Sequence, residues 1–115
     1  MSGIRMHHAE ERRRYDLLDG DAVIGSAHYR ELFETAADGT ARVERIFFQT
    51  LVDDAYSGQG LAGRLTAFAL SDSVASGTRI VAVCPYIKAY LAKHDAFDGN
   101  VIPVRPDHLD ALPQE

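Results

Sequence analysis

Two short stretches hold most of the residues whose types and spacing could do chemistry. The first, Tyr56-Ser57-Gly58-Gln59-Gly60-Leu61-Ala62, sets two glycines directly before an apolar pattern of helical period. Between a strand and a helix, such a loop can aim several unpaired backbone N–H groups at one point, where the helix dipole favours an anion. Glycine there allows φ > 0 and lets a ligand approach the backbone without meeting a Cβ. The run lacks the Lys-Ser/Thr of a Walker A loop, and it is read as falling short of a Rossmann fingerprint for want of a third glycine at the right offset. A pyrophosphate held by backbone amides is one reading. A glycine turn that merely opens a helix is the other.

The second stretch begins Cys84-Pro85-Tyr86 and continues to Tyr90 and His94. Cys84 ends an apolar strand and opens a helix, a position where the dipole can lower a thiol pKa and prepare a nucleophile. The alternative is a small buried residue that acts only as a hydrophobe. Tyr90 and His94 stand four apart, on one helix face. A phenol and an imidazole there could act as acid and base; they could equally be a core aromatic and a structural histidine. His7, His8, His28, His94 and His108 show no ligand spacing with a cysteine pair or with carboxylates, so no metal is expected.

The elements that must position these groups follow from periodicity. Asp19-Gly20 and Asp38-Gly39 are turn signals, and around them lie alternating or β-branched runs. Three antiparallel strands in meander order are predicted before residue 53, with His7 and His8 in a mobile N-terminus and Arg12-Arg13-Arg14 a solvated approach to the first strand. Leu61, Leu65, Phe68, Ala69, Leu70 and Val74 then recur at helical spacing to about Ala75, and Gly77 is a natural stop. Arg79–Cys84 reads as a buried central strand, and Pro85 suits the first turn of a second helix carrying Ile87, Tyr90, Leu91 and Phe97. The tail from Asp98 reads as an irregular arm, with a brief strand at Asn100–Val104. The expected class is α/β (α+β): a mixed, mostly antiparallel sheet with one parallel strand pair and two main helices.

The 115 residues favour one domain, a core at about 12–97 and a C-terminal arm at 98–115. A hydrophobic content of 46% with 25% charged residues fits an ordinary globular chain. A formal net charge of -5 argues against a sequence-independent nucleic-acid binder. The single cysteine excludes an internal disulfide, and with no export signal it points to the cytoplasm. No apolar run is long enough to span a bilayer. Monomer and homodimer are both compatible with this size.

Taken together, Gly58-Gln59-Gly60-Leu61-Ala62 and Cys84-Pro85-Tyr86 with Tyr90, Leu91, His94 and Phe97 resemble the GNAT superfamily of acetyl-CoA-dependent N-acetyltransferases. Within it, the motifs are similar to the small single-domain YjdJ-type branch, over roughly Arg14 to Phe97. The resemblance implies a minimal GNAT fold whose parallel strands, Arg45–Asp53 and Arg79–Cys84, splay apart to admit the thioester. It implies that acetyl-CoA is the co-substrate, an amine the acceptor, and acyl transfer the reaction. The pyrophosphate would lie on the loop amides of Ser57, Gly58, Gln59, Gly60, Leu61 and Ala62, with Val52 beside the pantetheine arm. Tyr90 or Tyr86 would protonate the leaving thiolate, His94 could serve as base, and Cys84 could form an acetyl-cysteine. Three positions depart from the branch. Ser57 stands where Arg is usual, Gln49-Thr50-Leu51-Val52 where His-Thr-Glu-Val is usual, and His94-Asp95-Ala96-Phe97 where His-Pro-Glu-Tyr is usual. These losses support an alternative, a non-catalytic acyl-CoA-binding or protein-interaction module on the same scaffold.

Overall fold

The computed structural model describes residues 3–113. Five strands, β1 (Ile4–Ala9), β2 (Arg14–Asp19), β3 (Ala22–Thr35), β4 (Ala41–Val52) and β5 (Arg79–Ala82), form one sheet in sequence order. The first four are antiparallel, and β4 and β5 are parallel. Helix α1 (Leu61–Ala75) is the crossover between those two, and α2 (Pro85–Lys93) follows β5. This is the mixed α+β architecture expected from the sequence.

The turn chemistry explains the meander. Gly20 and Gly39 take φ of 60° and 88°, which L-residues rarely adopt, and the Asp38 carboxylate accepts the Thr40 amide at 2.9 Å. Gly77, at φ 79°, ends α1. Leu61, Leu65, Ala69 and Leu70 of α1 are buried against Tyr15, Leu17, Ala27, Tyr29 and Phe47 on one face of the sheet, and Ile87 of α2 joins the same cluster.

The sheet has one strand more than the sequence reading gave it. Residues 4–9 are paired with β2 rather than mobile, and the Arg12-Arg13-Arg14 run includes a tight turn in which Arg13 is left-handed at φ 54°. The period-2 signal of β1 is masked because its inward set, Ile4, Met6 and His8, includes a histidine. His8 is accommodated by partners distant in sequence. Its Nδ1 lies 3.1 Å from an Asp72 carboxylate oxygen, Nε2 meets the Tyr29 hydroxyl, and its ring stacks on Tyr15 at 4.0 Å.

This polar layer has a pH signature. Burial, reinforced by the Arg45 guanidinium, lowers the His8 pKa despite Asp72; burial and Arg14 do the same to His28. Both folded values lie below the unfolded value of about 6.5, so the unfolded chain takes up protons first as the pH falls. Their stabilisation is complete above about pH 6.5 and is lost on acidification towards the folded values. The thermal midpoint should therefore fall between pH 7 and pH 5, before the carboxylates titrate, and His8→Gln should flatten the slope.

After α2, a 3-10 segment (Asp95–Asn100) leads to a bridge between Val101 and Ile80 and to a short helix, α3 (Pro106–Asp110). The tail is anchored rather than merely irregular. His108, fully buried, donates from Nε2 to Glu44 at 2.7 Å, while its Nδ1 accepts the Arg105 amide at 2.9 Å. Arg105 also donates to Glu44 at 2.7 Å. Burial alone would raise the Glu44 carboxyl; the Arg105 and His108 donors outweigh it and hold the pKa below the usual carboxylate range. Among the described residues no helix is long and apolar enough to cross a membrane.

Candidate active site

The parallel pairing of β4 and β5 covers only Glu44 to Phe47 against Arg79 to Ala82. It ends abruptly because Val83 and Cys84 both donate their amides to the same carbonyl, Phe47 O, at 2.9 Å. Past that point β4 continues to Val52 while the chain after Ala82 turns into α2, so the two strands part. The resulting gap in the sheet lies beside Phe48 to Val52, whose edge towards β5 is unpaired among the described residues. Across it, the buried Cys84 thiol donates to the Thr50 hydroxyl at 3.5 Å.

The glycine loop stands at the same end of the sheet. After β4, a 3-10 turn (Asp54–Tyr56) uses the Ser57 amide, which donates to Asp54 O at 3.1 Å. Gly58 and Gly60 follow at φ 80° and 73°, and a Cβ at either would meet nothing within 4 Å. The glycines are thus required by conformation, and the space above them is open. Gly60 is the N-cap of α1, so the amides of Leu61, Ala62 and Gly63 have no partner within the helix. Among the described residues, the loop amides without a partner are therefore those of residues 58–63, while Ser57 has an exposed side chain and a bonded amide.

The expectation that no third glycine falls at the Rossmann offset is wrong: Gly63 completes a Gly58-x-Gly60-x-x-Gly63 spacing. The β4–α1–β5 unit around it has the strand–helix–strand order of a dinucleotide fold. The acidic residue that would read a ribose is missing, since Arg79–Cys84 carries none. Nothing in the packing requires the third glycine either: a Cβ at Gly63 would stand 3.6 Å from the Tyr86 hydroxyl, an ordinary contact.

Between α1 and α2 runs an open groove of about 500 Å³, lined by Gly60, Arg64, Tyr86, Tyr90, Lys93 and His94. The structure thus brings three of the four predicted catalytic side chains together with the end of the loop. Tyr86 is 41% exposed. Tyr90 is partly buried, and the His94 ring stacks on it at 4.0 Å and 14°. His94 lies just beyond the end of α2, exposed, where its Nδ1–H donates to Tyr90 O at 2.8 Å. Cys84, the fourth, lines the strand gap rather than the groove. Val52 closes β4 opposite Gly25. Leu61 is buried and serves the core through its side chain, and Gln59 faces a second cavity of about 520 Å³ on the other side of the loop, with Asp19, Tyr56 and Arg64.

Arg64 borders both cavities, and sequence reasoning missed it. A cation in the first turn of a 15-residue helix opposes the dipole, and among the described residues Arg64 has no carboxylate partner. That misplaced charge was a signal available from sequence. Thr50 was also missed, because its relation to Cys84 is set by the tertiary fold.

Compared with known families, residues 14–100 match the family described as GCN5-related N-acetyl-transferase. The chain belongs to that family. A GCN5-like protein from Staphylococcus aureus has the same fold, with a TM-score of 0.60 at 21% identity over 94% of this chain and 97% of its own. An aminoglycoside acetyltransferase from an uncultured soil metagenomic sample superposes with a TM-score of 0.50 at 16% identity, over 71% of this chain and 55% of its own. No curated protein matches the sequence at a significant level. In this member of the GCN5-related family, the glycine loop opens α1, the groove runs between α1 and α2, and the strand gap lies beside Phe48–Val52.

Proposed function

We propose that this chain transfers the acetyl group of acetyl-CoA to an amine by direct attack within a ternary complex, as a small single-domain member of the YjdJ-type branch. The observation that carries this reading is the alignment of three features at one end of the sheet. They are the amide cradle of residues 58–63, the groove between α1 and α2, and the gap opened where Val83 and Cys84 share Phe47 O. The pyrophosphate of acetyl-CoA would lie on the cradle amides, with Arg64 supplying the cation that Ser57 does not. The pantetheine arm would hydrogen-bond along the free edge of Phe48–Val52, as an added strand does. The thioester would then enter the gap near Thr50 and Cys84.

Tyr90 and Tyr86 face the groove and can protonate the departing thiolate. Cys84 is less suited to covalent catalysis. The thiol is 4% exposed and is bonded to a hydroxyl, and no base stands within hydrogen-bond reach of it among the described residues. Cys84→Ser should therefore keep turnover within a few-fold of wild type, and intact-mass analysis after incubation with acetyl-CoA should find no acetylated protein. An acetylated wild type that is lost in the serine variant, along with turnover, would establish the covalent route instead.

The reading is tested by calorimetry with acetyl-CoA, followed by measurement of CoA release across a panel of primary amines. Saturable binding with amine-dependent release supports it. Binding with no transfer to any amine would favour the acyl-CoA-binding module, to which the loss of a carboxylate at Leu51 points. No binding at all would leave an interaction domain.

A further inference from the structure

The face of the sheet away from α1 and α2 carries a cluster that the groove does not use. Tyr15, Ala27 and Phe47 point into the helix-covered core, so on β2 and β3 the alternate residues Arg14, Asp16, Ser26, His28 and Arg30 take the opposite face. Within this set, Ser26 Oγ and His28 Nε2 are 2.8 Å apart, and Arg14 Nε lies 2.7 Å from Asp16 Oδ1. His28 is the cross-strand partner of Gln49 on β4. Gln49 stands two residues past Phe47, the last β4 residue paired with β5. The imidazole is therefore level with the gap, one strand in from it, on the face opposite the groove. Cross-strand side chains stand about 5 Å apart, and the gap lies one further strand spacing beyond Gln49, so His28 serves an amine entering the gap from this side through bridging water rather than by direct contact.

On β4, the residues of this face beside the gap are Gln49 and Leu51, neither of which can take a proton. His28 lies beside the first, and Ser26 pairs with the second. Resting on the acetyl-transfer reading, we propose that His28 is the general base that removes the proton from the acceptor amine, with Ser26 as its positioning residue. Ser26 accepts Nε2–H, which leaves the lone pair on Nδ1, an atom with no partner among the described residues. Nδ1 takes one proton from the ammonium. The freed nitrogen pair attacks the thioester carbonyl, a C–N bond forms, and the C–S bond breaks with its electron pair on sulfur. The thiolate takes a proton from the tyrosine side, the attacking nitrogen loses its second proton as the adduct collapses to the neutral amide, that proton returns to the tyrosinate through water, and the proton held on Nδ1 passes to solvent.

The charged groups facing His28 are Arg14 and Asp16 on β2 and Arg30 on its own strand; from β4 come the neutral Gln49 and the Phe48 ring, whose centroid is 6.2 Å from that of His28. Burial, with Arg14 and Arg30 against Asp16, keeps the imidazole unprotonated at neutral pH, as a base must be.

The test compares two acceptors, benzylamine, which is protonated at neutral pH, and hydroxylamine, which is not. His28→Asn should reduce kcat with benzylamine about 100-fold and remove the acidic limb of its pH profile, leaving hydroxylamine transfer within about two-fold. Ser26→Ala should show the same pattern, more weakly. Equal losses with both acceptors, or none with benzylamine, would overturn the proposal. If wild type transfers to neither acceptor, histidine side-chain NMR decides. Saturation with acetyl-CoA should shift the His28 resonances, and unmoved resonances in a complex that calorimetry shows to be formed would overturn it. Absence of acetyl-CoA binding by calorimetry removes the acetyl-transfer reading and this proposal with it.

Discussion

Gly60→Val should abolish acetyl-CoA binding while leaving the chain folded. Gly60 caps α1 at φ 73°, and a Cβ there meets no atom within 4 Å. The cost to the free protein is therefore conformational rather than steric, about 1–3 kcal/mol for a non-glycine residue held in that region. The cost to the complex is larger. The added side chain stands in the open space above the cradle, where the pyrophosphate must approach the amides of residues 58–63, and valine is too bulky to move aside. Affinity should fall at least 100-fold by calorimetry. Gly39→Val is the matched control. It has a similar φ of 88° and equally open surroundings, but sits in the β3–β4 turn away from the loop. It should lose comparable stability and bind acetyl-CoA as wild type does. If Gly60→Val binds normally, the phosphate does not lie on this loop.

Local chemistry made much of this fold legible in the sequence. Asp19-Gly20 and Asp38-Gly39 mark the hairpins because a tight turn needs φ > 0, and the helical period from Leu61 ends near Gly77 for the same reason. Of the candidate site, Gly58, Gly60, Tyr86 and Tyr90 of α2 and His94 just past it are legible, since each rests on spacing within a few residues. The features that escaped are those joined across long separations. His8 is acceptable inside the sheet only because Asp72 and Tyr29 meet it, so β1 carried no apolar signal. The tail is anchored by Glu44, which lies 61 and 64 residues from Arg105 and His108. Cys84 and Thr50 are separated by 34 residues, and their meeting depends on where β5 stops pairing. His28 reads as one more polar strand position until the register sets it beside Gln49.

Arg45→Met should be the most destabilising single substitution among these. In a β4 run of Val43-Glu44-Arg45-Ile46-Phe47, the period of 2 puts Arg45 on the same face as Phe47, beneath α1, and it is 4% exposed. Such a charge is tolerated only when its donors are matched. Here Nε and Nη2 donate to Glu31 at 3.0 and 2.7 Å, while Nη1 donates to the Tyr15 hydroxyl at 2.7 Å and to Ser73 at 3.1 Å. The guanidinium carbon also lies 4.7 Å from the centre of the Tyr29 ring. Methionine would fill most of the volume but leave the Glu31 carboxylate and two buried oxygens without a donor. Breaking a fully buried pair costs about 3–5 kcal/mol; the Glu31 side chain is 25% exposed, so the loss should be about 3 kcal/mol, which for a chain of this size lowers the thermal midpoint by roughly 10–20 °C. Arg45→Lys should fall in between, because a single ammonium cannot serve both Glu31 and the Tyr15–Ser73 pair. Adding Glu31→Gln to Arg45→Met should recover part of the loss, since it removes the uncompensated charge, whereas Glu31→Gln alone should destabilise. A double mutant no more stable than Arg45→Met would mean that the cost lies in the Tyr15 and Ser73 oxygens or in packing, and not in the ion pair. The network also bears on the site: Arg45 pairs with Ile80 inside the short parallel segment whose end sets the gap. Arg45→Met should therefore weaken acetyl-CoA binding at temperatures where the protein is still fully folded, an effect that lost stability alone would not produce.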